Sequence, residues 1–469
     1  MRLRSIFTNS FGILLSRITG LLRDVLTASA LGASVWSDMF FVAFKLPNLF
    51  RRIFAEGAFT QAFMPSFIAS RHKGTFATTI FVRFMLFLLV FSLLVTLFPE
   101  PITKLIAWGW DWETVRKTGP LTAINFWYLD LIFIVTFLAT LLQYKEHFAT
   151  TALATSLLNI SMIGALWITM REDPKTVAYA LSFAVVIGGF LQVAAHLLAI
   201  KKFNLHKLLI GGWKYRKSRE IQEEEKHFRS LFLPGILGNS TPQIAAFVDT
   251  TLATFLATGS VTYLYYGNRV FQLPLALIAI ATATALFPSI SKALKNNNEA
   301  QAYHHLDQAF WLLAFGLGLS MLGGILFAEP IVWLLFERGN FTQAETIQTA
   351  RVLQMYMIGL LPFGLAKLFS LFLYASHRHK KAAKIAIYSL ITSVTASLIL
   401  MHPLGVAGLA LAGSIGGWVL FLFTVREVGT KHFFRSLISK KLLYFLLSMI
   451  IATFLFYHLN IWIMALIRD

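Results

Sequence analysis

The chain has 469 residues, of which 57% are hydrophobic and only 13% are charged, and its formal net charge is +19. Apolar runs of about 20 residues recur from end to end, each long enough to cross roughly 30 Å of hydrocarbon, so a soluble globular protein is excluded. The alternating, turn-punctuated strands of a membrane barrel are not found. Zero cysteines exclude disulfides, thiolate metal sites and cysteine nucleophiles.

The apolar runs predict an all-α polytopic membrane protein with thirteen, or fourteen, transmembrane helices. The first run has no small-residue cleavage site, so we interpret it as a retained span rather than a signal peptide. The three longest spans exceed a membrane thickness and predict tilt, kinks or extensions. The predicted spans are residues 6–31, 36–70, 79–99, 121–143, 149–170, 176–200, 230–257, 261–291, 304–328, 345–375, 383–401, 404–425 and 441–465.

Basic residues are concentrated in alternate loops. Counted from the N-terminus, one set of loops and ends holds twenty-five Lys and Arg residues, and the other set holds seven. The positive-inside rule therefore predicts that the first set, which includes the N-terminus, is cytoplasmic, and that the C-terminus lies on the opposite side of the membrane. The same asymmetry accounts for the net charge, so no nucleic-acid partner is expected.

A long polar and basic segment at 201–229 separates six spans from the rest. It predicts an N-terminal six-helix lobe at 1–200, a cytoplasmic linker at 201–229 and a C-terminal six-helix lobe at 230–425. Residues 426–469 would add a cytoplasmic loop and one further helix.

An internal repeat supports two lobes of like orientation. Ala58-x-x-x-Ala62-x-x-Pro65-Ser66 recurs as Ala281-x-x-x-Ala285-x-x-Pro288-Ser289 in the second span of each lobe. Each copy follows a Leu-Pro pair, although the spacing differs by four residues. Parallel repeats are typical of transporters, which bind substrate between the repeats.

Charged residues inside spans are the main functional signal, because a central Arg or Lys costs roughly 3 kcal/mol or more in hydrocarbon. Positive charge remains after every nearby carboxylate has been assigned a partner. Guanidinium stays protonated when buried and matches phosphate through planar bidentate hydrogen bonds, so the cluster predicts binding of a phosphate-bearing or diphosphate-bearing lipid. The predicted substrate-binding residues are Arg17, Arg23, Arg51 and Arg269.

The second span carries four more charged residues. Asp38, Lys45 and Arg52 fall at i, i+7 and i+14 and form one stripe, and Arg52 and Glu56 are spaced for an i,i+4 pair. They are expected to organise the cavity or to gate it, with mutual pairing as the structural alternative.

The sequence contains no HExxH, GxSxG, Walker or paired acidic metal motif, so no enzyme activity, metal or cofactor is predicted. The drive for transport would then come from an ion gradient, the membrane potential or consumption of the product.

The run SRITGLLRDVLTASALGASVWSDMFFVAFKLPNLFRRIFAEGAFTQAFMPSF, at 16–67, closely resembles the MurJ (MviN) family of lipid II flippases in the MOP transporter superfamily, and the resemblance returns at NRVFQLPLALIAIATATALFPSISK. It implies a bacterial inner-membrane protein, with a periplasmic C-terminus, that has two six-helix lobes around a central cationic cavity. It also implies alternating-access transfer of undecaprenyl-diphosphate-linked peptidoglycan precursor to the periplasmic leaflet. The family's essential arginines fall on Arg17, Arg23, Arg51 and Arg269, and its conserved acidic residue falls on Asp38.

Two departures from the family pattern affect the expectations. Family members usually have fourteen spans, whereas one span is predicted here after residue 425. Some members bind sodium through the counterpart of Asp249 with Asn and Asp on the eleventh span, where this chain has Ser393 and Ser397. Asp249 is therefore the sole sodium-site candidate, and sodium coupling is not expected.

The expected partners are lipid II, membrane lipids and other cell-wall synthesis proteins. The alternatives are a MOP exporter of another polyprenyl-linked glycan or of a drug, a membrane scaffold that recruits cell-wall enzymes through 201–229, and a lipid-modifying enzyme. A drug exporter would favour carboxylates and aromatic residues over arginines, and a scaffold would tolerate Arg→Ala changes.

Overall fold

The computed structural model describes residues 3–52, 58–214 and 221–468, and every regular element within these ranges is helical. This confirms the all-α prediction. The chain divides into two compact units, residues 1–254 and 255–469.

The helices of the first unit pack around α6, which contacts α2, α4, α5 and α8. Asp111 caps the start of α6, where its side chain accepts a hydrogen bond from the Thr114 amide, and Asp173 caps α8 in the same way. The helices are α1 (Leu3–Leu31), α2 (Val35–Phe50), α3 (Thr60–Ala69), α4 (Lys73–Leu97), α5 (Pro99–Ile106), α6 (Trp112–Tyr144), α7 (Ala149–Thr169), α8 (Pro174–Lys202), α9 (Leu205–Lys214) and α10 (Ile221–Ala253).

A cluster of phenylalanine rings joins α3, α6 and α10. The ring centroid of Phe59 lies 5.3 Å from that of Phe133 and 6.0 Å from that of Phe228. Phe63 in turn lies 5.6 Å from Phe137. Edge-to-face pairs of this kind contribute about 0.5–1.5 kcal/mol each beyond burial, so the cluster fixes α10 to the first unit.

The predicted linker at 201–229 is largely helical. Within it, α9 crosses α4 at two glycines, since a Cβ on Gly212 would lie 2.0 Å from the carbonyl oxygen of Gly74. Glu224 of α10 accepts hydrogen bonds from the Ser70 hydroxyl at 2.7 Å and the Arg71 amide at 3.1 Å. The described part of this segment is thus packed on the first unit, while the predicted lobe boundaries stay a prediction.

The second unit packs around α13, which contacts α12, α15, α16 and α19. The predicted loop after residue 425 is instead helical as far as Leu437, with a break at Gly429, where φ is +142°. The elements are α11 (Ser260–Pro274), a π-helical segment (Leu275–Ile280), α12 (Ala281–Lys295), α13 (Glu299–Leu326), α14 (Ala328–Phe336), α15 (Gln343–Ile358), α16 (Leu360–Ala375), α17 (His379–Leu404), α18 (Val406–Leu437) and α19 (Lys440–Arg468).

Ten helices or continuous helical stretches of the described residues are long and apolar enough to cross a membrane, and they coincide with ten of the predicted spans. The chain is therefore a multi-pass membrane protein. The predicted spans 6–31, 36–70 and 230–257 correspond to α1, to α2 with α3, and to α10, and the total of thirteen stays a prediction. Of the three long spans, 345–375 is interrupted at Gly359, between α15 and α16.

Both copies of the sequence repeat contain π-helical backbone after the Leu-Pro pair. In the second unit it follows Pro274 directly and occupies Leu275–Ile280. In the first unit Arg51 and Arg52 are π-helical, as are Ala58 and Phe59. A π-helical turn re-aims the side chains that it carries and is frequent at functional sites.

Candidate functional site

Arg23 is buried at the contact between α1 and α7. Its Nη2 and Nε atoms donate to Asp24 Oδ1 at 2.6 and 3.1 Å, and its Nη1 donates to Asn159 Oδ1 at 3.0 Å. The side chains of Arg23 and Asp24 are 7% and 5% exposed. The guanidinium is thus fixed in orientation, and part of its charge is compensated by the neighbouring carboxylate.

Asn159 on α7 also forms two hydrogen bonds to α1. Its Nδ2 donates to the Ser16 carbonyl oxygen and to Thr19 Oγ1, both at 3.1 Å. The sequence reasoning missed this residue, although one asparagine in an apolar run is a signal that would have found it. Asn159 therefore positions both the Arg23 side chain and the backbone of α1.

Arg17 lies in a different environment. It is six residues before Arg23, about 120° away around α1, and it is exposed. Within the ranges that the structure describes, its side chain makes no hydrogen bond or ion pair. Its positive charge is therefore available to an anionic ligand.

Arg51 and Arg52 follow α2 in the π-helical segment, Arg51 half-buried and Arg52 exposed. The Arg51 amide donates to the carbonyl oxygens of Asn48 and Pro47, so the backbone hydrogen bonding of α2 continues into this segment. Glu56, the predicted partner of Arg52, lies outside the described residues, so that pair stays a prediction.

Asp38 and Lys45 share α2. Asp38 is 4% exposed and lies in the first turn, after the N-cap Ser34, where a carboxylate is favoured by the helix dipole. Lys45 is half-buried and lies within electrostatic range of Arg52 and of Asp249 on α10. The stripe predicted from spacing therefore passes from a buried to an exposed environment along the helix.

Asp249 on α10 lies within electrostatic range of the Lys45 ammonium on α2, but the two side chains form no direct ion pair within the described residues. No group of three or more His, Cys, Asp or Glu side chains within the described ranges could hold a metal ion. Lys45 and Asp249 are therefore candidates for a structural or gating pair, and the expectation that sodium is not bound at Asp249 stays a prediction.

Arg269 lies in the second unit, on α11, and is half-buried. Its Nη2 donates to the hydroxyl of Tyr265 at 3.2 Å, and its guanidinium carbon lies 5.3 Å from the centroid of the same ring. A tyrosine one turn earlier on the helix thus orients the guanidinium by a hydrogen bond and a cation–π contact. Tyr265 is part of the sequence YLYYGNR, but no role was predicted for it.

Known proteins are similar to this chain over most of its length. A family model described as "Lipid II flippase MurJ" matches residues 27–468. A protein of Helicobacter pylori named "Probable lipid II flippase MurJ" is 51% identical over 417 residues, which cover 87% of this chain and 90% of that protein.

Two solved structures share the fold. One, described as "Lipid II flippase MurJ, inward closed conformation", matches with a TM-score of 0.79 and 27% identity over 98% of this chain and 99% of that chain. An inward-facing multidrug resistance MATE family transporter of the MOP superfamily matches with a TM-score of 0.59 over 91% and 95% of the two chains. At 16% identity the second likeness shows the fold alone. Since the family model spans nearly the whole sequence, the resemblance is confirmed, and the chain belongs to the lipid II flippase MurJ family.

Proposed function

We propose that this protein is a flippase that moves lipid II, the undecaprenyl-diphosphate-linked peptidoglycan precursor, from the cytoplasmic to the periplasmic leaflet by alternating access. The observation that carries the proposal is the 51% identity, over most of both chains, to a relative named as a lipid II flippase. The arginines within apolar helices support it, because guanidinium is the side chain best matched to a diphosphate.

Four arginines are proposed to act on the diphosphate in different ways. Arg17 and Arg51 of the first unit and Arg269 of the second would contact phosphate oxygens. Arg23 is held by Asp24 and Asn159, which favours a fixed positive charge that contributes to the local potential and to the position of α1. Tyr265 would keep Arg269 oriented in the absence of substrate.

Asp38, Lys45, Arg52 and Glu56 are proposed to organise the site rather than to bind the lipid. Lys45 supports this assignment, since its ammonium already lies within electrostatic range of the Asp249 carboxylate. A pair between α2 and α10 could exchange partners when those helices move. Such an exchange would make Lys45–Asp249 a gating contact.

The loop charges support a cytoplasmic N-terminus and a C-terminus on the periplasmic side. The similarity to bacterial relatives supports a location in a bacterial inner membrane. No catalytic activity and no bound cofactor form part of the proposal. A membrane potential supplies roughly 2.3 kcal/mol per charge per 100 mV, which is enough to bias a cationic site between two states. Other cell-wall synthesis proteins are proposed as partners on functional grounds only.

The test is the leaflet accessibility of lipid II in cells depleted of their own flippase and supplied with this chain. We expect Arg17→Ala, Arg51→Ala and Arg269→Ala each to leave lipid II in the cytoplasmic leaflet. Arg116→Ala is the matched control, because Arg116 is 71% exposed and only 3.9 Å from Glu100 in a weak surface pair. Normal periplasmic delivery by all three variants, expressed at wild-type level, would refute the mechanism.

A further inference from the structure

A polar cavity lies within the second unit. It has a volume of about 710 Å³ and is lined by α14, the start of α15 and the end of α19. This volume is in the range of pockets that hold small organic ligands, roughly 300–1,000 Å³. None of the residues placed in the proposed transport site lines it.

One face of α14 and its C-terminal end gives the cavity its charge. Glu329, Trp333 and Glu337 are spaced at i, i+4 and i+8 and all line the cavity. The described lining residues include these two carboxylates and no Lys, Arg or His. Glu337 is half-buried, and in the described part of the chain its carboxylate makes no ion pair or hydrogen bond. Glu337 therefore gives the cavity a negative charge that no described residue compensates.

An independent observation comes from α15. Thr346 lines the cavity and is 1% exposed, and its hydroxyl has no hydrogen-bond partner among the described residues. A buried hydroxyl without a partner costs about 1–3 kcal/mol, so such groups usually have a ligand or water that satisfies them. The hydroxyl therefore points to an occupant that can form a hydrogen bond.

The shape of the site excludes a single metal ion as that occupant. Glu329 and Glu337 are separated by eight residues, about 12 Å along a helix axis, so the two carboxylates do not converge on one point. Trp333 lies between them in the sequence and also lines the cavity, and aromatic rings attract ammonium groups. Met464 and Ile467 from α19 supply an apolar wall.

From this arrangement we propose that the cavity binds an extended organic cation, a primary ammonium on an alkyl chain. The ammonium lies against Glu337 and the Trp333 ring, and the methylene groups lie along Met464 and Ile467. The Thr346 hydroxyl accepts or donates the remaining hydrogen bond. The ammonium can come from a free polyamine or from the headgroup of an ethanolamine phospholipid, and α19 is little buried by protein, so lipid can reach the cavity.

The experiment is native mass spectrometry of the full chain, purified in detergent and titrated in separate arms with spermidine and with phosphatidylethanolamine. Phosphatidylglycerol, which has no ammonium, is the negative arm. We expect Glu337→Gln to weaken binding at least about tenfold, the usual effect of losing a charge-assisted contact. Trp333→Leu and Thr346→Val should weaken it several-fold.

Glu113→Gln is the matched control, since Glu113 is an exposed carboxylate paired only with Lys117 within the described residues. Retention of spermidine alone assigns the site to a free amine, and retention of phosphatidylethanolamine alone assigns it to a lipid headgroup. The proposal is overturned if neither probe is retained, or if all three cavity variants, with wild-type melting curves, bind as the control does. Neither outcome bears on the proposal that this chain translocates lipid II.

Discussion

Replacing Asp24 by asparagine should expose how much the first unit depends on the charge pair at Arg23. Asp24 Oδ1 accepts two hydrogen bonds from the guanidinium, at 2.6 and 3.1 Å, and both side chains are almost fully buried. Asn keeps the size of the side chain but leaves the Arg23 charge without its adjacent counter-charge. Removing one partner of a buried pair costs about 3–5 kcal/mol, so we expect a loss of that order in the free energy of unfolding.

Asn159→Ala should lower the free energy of unfolding by somewhat less than Asp24→Asn. It removes one hydrogen bond to the guanidinium, at 3.0 Å, and two neutral hydrogen bonds to α1, at 3.1 Å. A charge-assisted bond contributes about 1.5–3 kcal/mol, and neutral bonds within membrane helices average about 0.6 kcal/mol. The sum is about 2.7–4.2 kcal/mol, which overlaps the lower part of the range expected for Asp24→Asn.

The assay is SDS titration of the purified protein in mixed micelles, with the free energy of unfolding as the measured quantity. Glu113→Gln serves as the control, because it breaks an exposed i,i+4 pair with Lys117 that contributes at most about 0.5 kcal/mol. The double variant Arg23→Met/Asp24→Leu removes both charges and should recover most of the lost stability. If Asp24→Asn unfolds within 0.5 kcal/mol of the wild type, the buried pair is not a stabilising element and the reasoning fails. If the double variant is stable and still translocates lipid II, translocation does not require the Arg23 charge, which would contradict both a substrate contact and the fixed-charge role proposed for it.

Two further predictions concern the connecting segments. Gly212→Ala should separate α9 from α4, because the added Cβ would meet the Gly74 carbonyl oxygen at 2.0 Å, whereas a Cβ on Gly211 would have nothing within 4 Å. We therefore expect faster proteolysis of 201–229 in Gly212→Ala and unchanged proteolysis in Gly211→Ala. Equal proteolysis rates in the two variants would contradict this prediction. Burial and the nearby Lys202 ammonium lower the pKa of His147, between α6 and α7, below its ordinary value. The unfolded chain therefore binds the proton more readily, so stability should fall as the pH drops through about 6.5. His147→Gln should flatten that part of the pH–melting profile, and an unchanged slope would contradict the assignment.

The sequence predicted the helices well because each apolar run must satisfy its own backbone hydrogen bonds in lipid. The predicted span 121–143, for instance, corresponds to α6, Trp112–Tyr144. The helix begins earlier than predicted because polar turns precede the apolar run, and Asp111 caps the first of them. The polar and basic composition of 201–229, by contrast, predicted a linker, whereas most of its described residues are helical. The Gly-Gly pair at 211–212, within a leucine-rich stretch, was the sign that part of it packs against another helix.

The partners of the charged residues could not be predicted from local patterns. Arg23 and Asn159 are separated by 136 residues, and Lys45 and Asp249 lie on helices at opposite ends of the first unit's sequence. Spacing within one helix predicts which residues share a face, but it carries no information on which face of a distant helix lies opposite. Only the folded unit shows that Arg23 is already bonded while Arg17, six residues away, is exposed.

The π-helical segments connect the repeat to the uneven distribution of charge. The first copy of the repeat has four more residues between its Leu-Pro pair and its Ala-x-x-x-Ala motif, and the charged residues Arg51, Arg52 and Glu56 all fall in that interval. The corresponding π-helical segment of the second copy, Leu275–Ile280, is LALIAI and has no polar side chain. A proline frees backbone groups in each copy, and the wider turn accommodates them. Only the longer copy carries arginines there, so the predicted substrate-binding arginines lie mainly in the first unit, and Arg269, before its own proline, is the one from the second.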